Sequence, residues 1–479
     1  MSSPFAKKKG ESVLNQPPVY RYIRFFMLFF YGCFVINLVF AFLSNGESFA
    51  ATLFGDFQAT DLYMDFFNTI RDAGNSNVYT ERNNIYPPLC LLFFKFLGYF
   101  VDRRLVELKG RQRLLLQIDQ RCMMLYVLYA IVCMLVIMRI LNAYLNTLEL
   151  DKRLRLHGKF LSFFMLVSYP TIYCIERGNV IMLSFIATAF FVFFYRSANK
   201  FLRELSLICL AVAAGIKLYP AIFGILLLLD KKYKMAIRAI VYGILAIALP
   251  AVVFLRPGAV ATASIVPGAV GAAAAAADGG VVRNLIQNIL KFAFEKKSTL
   301  NFSSVSVENF VFLADPFAVA PAKVLCVITE AIAAVTLIFA KKRWQQVLLV
   351  CYLMLNIPAA SSSYSLTFLI IPFFIFLFEE KPSGKLDAFF HTVFTLILVP
   401  LPTLWYFQTD TVVDFMTNTL GINYNSKANQ LVSGFLFQAM FVAIVIFVFY
   451  CFAQSKKAAK QKIATAPLEE SEQHELAAS

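Results

Sequence analysis

The sequence predicts an all-α polytopic membrane protein: a bundle of about 12 transmembrane helices with an amphipathic helix in its first external loop. Its 479 residues are 59% hydrophobic and only 15% charged, and the mean hydropathy is +0.67. The apolar residues fall into runs close to the ~20 needed to cross a bilayer. With 51 Phe and 21 Tyr against 2 Trp, and without the ~10-residue alternation of barrel strands, the pattern is that of a helical bundle. A water-soluble enzyme, a disordered chain, collagen and a secreted disulfide scaffold are excluded.

The first run, Tyr20 to Leu43, follows Lys7, Lys8 and Lys9 and contains Arg21 and Arg24, so residues 1–19 are expected in the cytoplasm. It is too long for a signal-peptide core and has no small-residue cleavage site. Further runs follow at Pro87 to Val101, Cys122 to Tyr144, Phe160 to Tyr173, Val180 to Tyr195, Leu205 to Leu229 and Ala236 to Leu255. These make residues 20–255 a first membrane module, with residues 44–86 as its external loop. A second long loop occupies residues 256–321 and includes the Ala- and Gly-rich stretch Gly268 to Gly280, which reads as a flexible connection.

The C-terminal membrane module, residues 322–454, holds runs at Ala322 to Ala340, Val347 to Ala360, Leu366 to Phe378, Phe389 to Phe407 and Leu431 to Phe452. Residues 455–479, basic and then acidic, read as a disordered cytoplasmic tail. An even number of crossings suits two cytoplasmic termini. Counting runs one by one nevertheless places the basic loops Asp151 to Lys159 and Arg196 to Arg203 outside; splitting Leu205 to Leu229 near Pro220 changes the parity.

The nine cysteines lie in or beside apolar runs with no paired spacing, and the three histidines, His157, His391 and His474, are far apart. Neither set builds a disulfide framework or a zinc centre. The net charge of +15 comes from short loops between apolar runs, the positive-inside pattern rather than a nucleic-acid footprint.

The first external loop concentrates acid: Glu47, Asp56, Asp61, Asp65, Asp72 and Glu81. Asp61, Asp65, Asn68 and Asp72 recur at helical spacing, with Leu62, Phe66 and Ile70 on another face and Gly74 as terminator. This predicts an amphipathic helix whose apolar face lies at the membrane surface and whose carboxylates face water or a cavity. Pro87 and Pro88 after Tyr86 pin the loop end at a helix start. Further on, Tyr169-Pro170 through Glu176-Arg177-Gly178-Asn179 breaks one helix and opens the next, where backbone amides beside Arg177 can meet an anion. Lys217, in Lys217-Leu218-Tyr219-Pro220, interrupts an apolar run and marks a functional position. A carboxylate at the mouth of a cavity with cations near it suits a substrate bearing a phosphate head and an apolar tail.

In their order and spacing, the acidic loop, Tyr86-Pro87-Pro88-Leu89, Arg177-Gly178-Asn179 and Lys217-Leu218-Tyr219-Pro220 resemble the GT-C membrane glycosyltransferases of glycosyltransferase family 87, over residues 20–255. The resemblance implies a polyprenyl-phosphate sugar donor with mannose favoured, a glycan or glycolipid acceptor, and an active site on the non-cytoplasmic side of the plasma membrane. It also implies an inverting reaction with an external-loop Asp as base. Asp61 is the first choice for that base, Asp65 the second and Asp56 a reserve. Arg177 and Lys217 serve the donor phosphate, with Arg82 and Tyr86 as neighbours; Pro87, Pro88, Gly178, Asn179, Tyr219 and Pro220 complete the motifs. No cofactor is expected. The acids are separated by three or four residues rather than forming a DxD, which weakens a divalent-metal reading without excluding it. The rival class is a transporter or flippase of lipid-linked saccharides, against which stands the missing second copy of these motifs.

Overall fold

The computed structural model describes residues 18–43, 63–75, 78–79, 86–106, 115–254, 319–357, 363–380, 384–402 and 428–476. Among these the chain is helical with no strand. Five helices among the described residues are long and apolar enough to cross a membrane: Pro18–Leu43, Gln120–Thr147, Lys152–Arg177, Tyr233–Phe254 and Val432–Ala458. Other apolar runs form shorter helices, among them Ile181–Phe194, Tyr219–Leu229 and Ser363–Glu379. A broad belt of exposed Phe, Leu, Ile, Val and Met side chains on the long helices, such as Leu28, Phe42, Met124 and Ile244, is the surface expected to face lipid.

The elements that position the site are α1 (Pro18–Leu43), α2 (Met64–Gly74), α3 (Pro88–Gly98), α4 (Gln120–Thr147), α5 (Lys152–Leu166), α6 (Tyr169–Arg177), α7 (Ile181–Phe194) and α8 (Lys200–Ile216). Local chemistry sets several boundaries. Asp119 caps α4 by accepting from the Cys122 N–H at 2.8 Å, and Asp151 caps α5 through the Leu154 N–H at 2.9 Å. That N–H bond is the main reason the Asp151 carboxyl is held below the usual carboxylate range. Asn199 caps α8 through the Phe201 N–H.

Contacts at the helix ends sort the loops into two sets. Tyr20, in the first turn of α1, donates to Asp151 at 2.7 Å. Arg196 pairs with Asp230 at 2.5 Å, and Arg343 with Glu379 at 2.6 Å, where Tyr144 also donates at 3.0 Å. Arg343 continues to the Val192 carbonyl. The N-terminal turn of α1 and both basic loops therefore share one end of the bundle. At the other end, Tyr126 near the start of α4 donates to the Ile175 carbonyl.

Two departures from run-by-run counting explain the basic loops. The predicted crossing Pro87 to Val101 is helix α3 of 11 residues, about 16 Å long against ~30 Å of hydrocarbon, packed beside α2. The run Leu205 to Leu229 is broken in two: α8 stops at Ile216, and a 3-10 segment beginning at Tyr219 leads back toward Asp230, which pairs with Arg196 just before α8. Pro220 in the first turn of the second piece and the extended backbone of Lys217 make that break.

Two further expectations change. The apolar face of α2, namely Phe66, Phe67, Ile70 and Ala73, is fully buried in protein rather than lying at a membrane surface, because Phe94, Tyr126 and Tyr129 surround Phe66 with rings at 5.1–5.3 Å. The last helix, Ala428–Leu476, continues helical backbone into the stretch read as a disordered tail, consistent with its Ala, Lys, Gln and Glu content. Gly268 to Gly280 lies outside the described residues.

Candidate active site

Asp65 stands in the first turn of α2. The start of that helix is tied to the end of α6: the Tyr63 N–H donates to the Glu176 carbonyl at 2.8 Å, and the Tyr63 ring packs on Tyr126 at 4.4 Å. Tyr63 adopts a left-handed backbone (φ 58°), a conformation rare for a non-glycine residue. Gly178 terminates α6, also left-handed (φ 62°), with its N–H on the Ile175 carbonyl and the Asn179 N–H on that of Cys174, as in glycine-terminated helices generally.

This turn aims two side chains at Asp65. Asn179 Nδ2 donates to Asp65 Oδ2 at 2.6 Å, and Arg177 lies 3.4 Å from Asp65 Oδ1. Asn179 Oδ1 in turn accepts from the Ile181 N–H at 3.0 Å. The helix N-terminus expected to meet an anion is therefore partly capped by Asn179, and Arg177 faces the carboxylate. Asp65 and Arg177 are each 22% exposed, so the pair opens to solvent.

A Cβ on Gly178 would lie 2.9 Å from the Tyr63 carbonyl oxygen and 3.0 Å from Phe66 Cβ. Gly178→Ala is expected to cost about 1–3 kcal/mol, since it combines a left-handed conformation with that clash. It also pushes α2 off α6 and separates Asp65 from Asn179. A thermal-melt and transfer assay on the same preparation checks this, with both readings expected to fall.

Lys217 is 5% exposed, and no hydrogen-bond acceptor or counter-ion meets its ammonium among the described residues. Instead Nζ sits 5.1 Å from the Tyr364 ring centroid, 5.3 Å from Tyr219 and 6.0 Å from Tyr86. Three aromatic faces thus surround the cation. Tyr86 is held by Tyr79, which donates to its carbonyl at 3.0 Å. Burial first, and the Asp65 carboxylate next, push the Tyr86 phenol well above its ordinary value, so it acts as a neutral group. Tyr86 and Tyr364 both lie within electrostatic reach of Asp65 while facing Lys217, and so join the anionic and cationic halves of the site.

The structure brings together Asp65, Tyr86, Arg177, Gly178, Asn179, Lys217 and Tyr219 at one end of the bundle, with Pro87, Pro88 and Pro220 at the adjoining helix starts. Asp56, Asp61 and Arg82 lie outside the described residues. Sequence reasoning missed Tyr364, which enters from the 3-10 turn Ser363–Leu369 and packs on Tyr173 at 6.0 Å. The signal was a polar interruption, Ser361-Ser362-Ser363-Tyr364-Ser365, between two apolar runs. Among the described residues no group of three or more His, Cys, Asp or Glu side chains is placed to hold a metal ion.

Compared with known proteins, the sequence matches a family model described as Glycosyltransferase family 87 over residues 84–362, more than half of the chain. The matched stretch starts just before Tyr86, includes both cationic motifs, and runs past residue 255, where the recognisable motifs end; Asp65 lies upstream of it. No curated protein and no solved structure matches.

Proposed function

The chain belongs to glycosyltransferase family 87 and is a membrane glycosyltransferase; from that premise we propose that it moves a hexose, mannose first, from a polyprenyl-phosphate donor to a hydroxyl of a lipid-linked or cell-envelope glycan. The observation that carries this reading is the pairing of a held carboxylate, Asp65, with a caged ammonium, Lys217, across the Tyr86 and Tyr364 rings.

In the proposed reaction the acceptor hydroxyl oxygen attacks the anomeric carbon while Asp65 takes its proton. The bond from that carbon to the phosphate oxygen breaks on the opposite face, giving inversion, and polyprenyl phosphate leaves. Lys217 opposes the negative charge growing on the departing phosphate. Arg177 and Asn179 fix the orientation of the carboxylate. The family resemblance put Asp61 first as base and Asp65 second; Asp61 lies outside the described residues, and the contacts of Asp65 support Asp65. The basic loops at the far end of the bundle support a cytoplasmic location for that end, and so an active site on the non-cytoplasmic face of the plasma membrane.

Purified protein in nanodiscs, given radiolabelled polyprenyl-phosphate hexoses and membrane extract, is expected to transfer label from polyprenyl-phosphate mannose. Transfer from nucleotide sugars alone would overturn the donor assignment.

A further inference from the structure

The clamp on Asp65 has two halves, the start of α2 and the end of α6, and one side chain of α4 reaches both. Where α6 stops, its last carbonyls need donors from outside the helix. The Asn179 N–H meets the Cys174 carbonyl at 3.2 Å, the Gly178 N–H that of Ile175 at 2.9 Å and the Tyr63 N–H that of Glu176 at 2.8 Å. Tyr126, buried in the second turn of α4, adds its phenol hydroxyl as a second donor to the Ile175 carbonyl. Its ring packs on Tyr63, Phe66 and Phe67 at 4.4, 5.2 and 6.2 Å, the residues that bracket Asp65. Because the Gly178 N–H already pairs with the Ile175 carbonyl, the phenol is not needed to satisfy that carbonyl. What it adds is a fixed distance between α4 and the turn that bears Arg177 and Asn179. Tyr129, one turn further along α4, shows the difference: its ring packs on Phe66 at 5.1 Å, but its hydroxyl makes no hydrogen bond to α6 among the described residues.

We propose that Tyr126 is a positioning residue for the glycosyl transfer: it holds the end of α6 against the start of α2, so that Asn179 and Arg177 meet the two oxygens of Asp65. This rests on the reading of Asp65 as the base. The hydroxyl acts through the backbone turn and the rings that aim the carboxylate. Rate responds steeply to such placement, since a shift of ~1 Å at a reacting group can cost ~10²-fold.

The test compares Tyr126→Phe with Tyr129→Phe in the full chain, each keeping its ring, by amide hydrogen exchange in nanodiscs and by transfer from polyprenyl-phosphate mannose. In Tyr126→Phe the amides of Tyr63, Phe66, Phe67, Gly178 and Asn179 should exchange about tenfold faster, the scale of one lost hydrogen bond. Its kcat should fall about tenfold with donor KM unmoved, and Tyr129→Phe should change neither reading. Adding Tyr126→Phe to Asp65→Asn should cost no further rate, because a positioning residue then has no base left to aim; a merely structural tyrosine would cost the same factor again. Unchanged exchange in Tyr126→Phe, a second tenfold loss in the Asp65→Asn background, or wild-type kcat in Tyr126→Phe while Asp65→Asn is dead would each overturn the proposal. Wild-type turnover in Asp65→Asn would strike the base reading instead, and faster exchange in Tyr126→Phe would then still support its hold on α2 and α6.

Discussion

Asp65→Asn is expected to lower kcat by ~10²–10⁴-fold, the range for losing a positioned general base, with donor KM little changed. The substitution is nearly isosteric. An asparagine oxygen still accepts from Asn179 Nδ2, which donates to Asp65 at 2.6 Å. What disappears is proton-accepting capacity and the charge that faces Arg177. Because that pair is 22% exposed on both sides and 3.4 Å apart, its removal should cost at most ~1 kcal/mol of stability, so the loss of rate is not a loss of fold. Arg177→Gln supplies the contrast. It leaves the base in place but releases one oxygen, and it should reduce rate by a smaller factor. Measuring Asp61→Asn beside Asp65→Asn decides between the two candidates: wild-type turnover in Asp65→Asn with a dead Asp61→Asn would make Asp65 a structural partner of Arg177.

The parts of the site that break an apolar helix were legible in the sequence. Arg177-Gly178-Asn179 and Lys217 are charges and a glycine where hydrocarbon is expected, and both prove to be turns at the same end of the bundle. What the sequence hid is depth and partnership. Hydropathy sees α3 as a crossing because Leu, Phe and Cys are as apolar beside α2 as they are in lipid; only its 11-residue length distinguishes the two. Likewise Arg177 reads as a cation for phosphate until Asp65, more than a hundred residues upstream, is seen against it. Tyr364 was unreadable for a related reason: one tyrosine among 21 gains meaning only from the lysine it faces.

Lys217→Met is the second large effect expected: kcat falls ~10²–10³-fold, as when one group opposing developing charge is removed, while thermal stability holds or rises. The opposite signs follow from burial. At 5% exposure, with three aromatic faces and no counter-ion around it among the described residues, the ammonium carries a desolvation cost that cation–π contacts of about 1–2 kcal/mol each offset incompletely. Methionine keeps the apolar stem and removes that cost. A merely structural lysine predicts the reverse pattern, with stability lost and activity reduced only in proportion to folded protein. The cage can be tested separately. Tyr364→Phe keeps the ring that lies 5.1 Å from Nζ and should retain most activity, whereas Tyr364→Leu should raise donor KM by loosening the ammonium. If Tyr364→Phe is as damaged as Tyr364→Leu, the phenol oxygen rather than the aromatic face does the positioning, and Tyr364 acts on the acceptor side with Asp65.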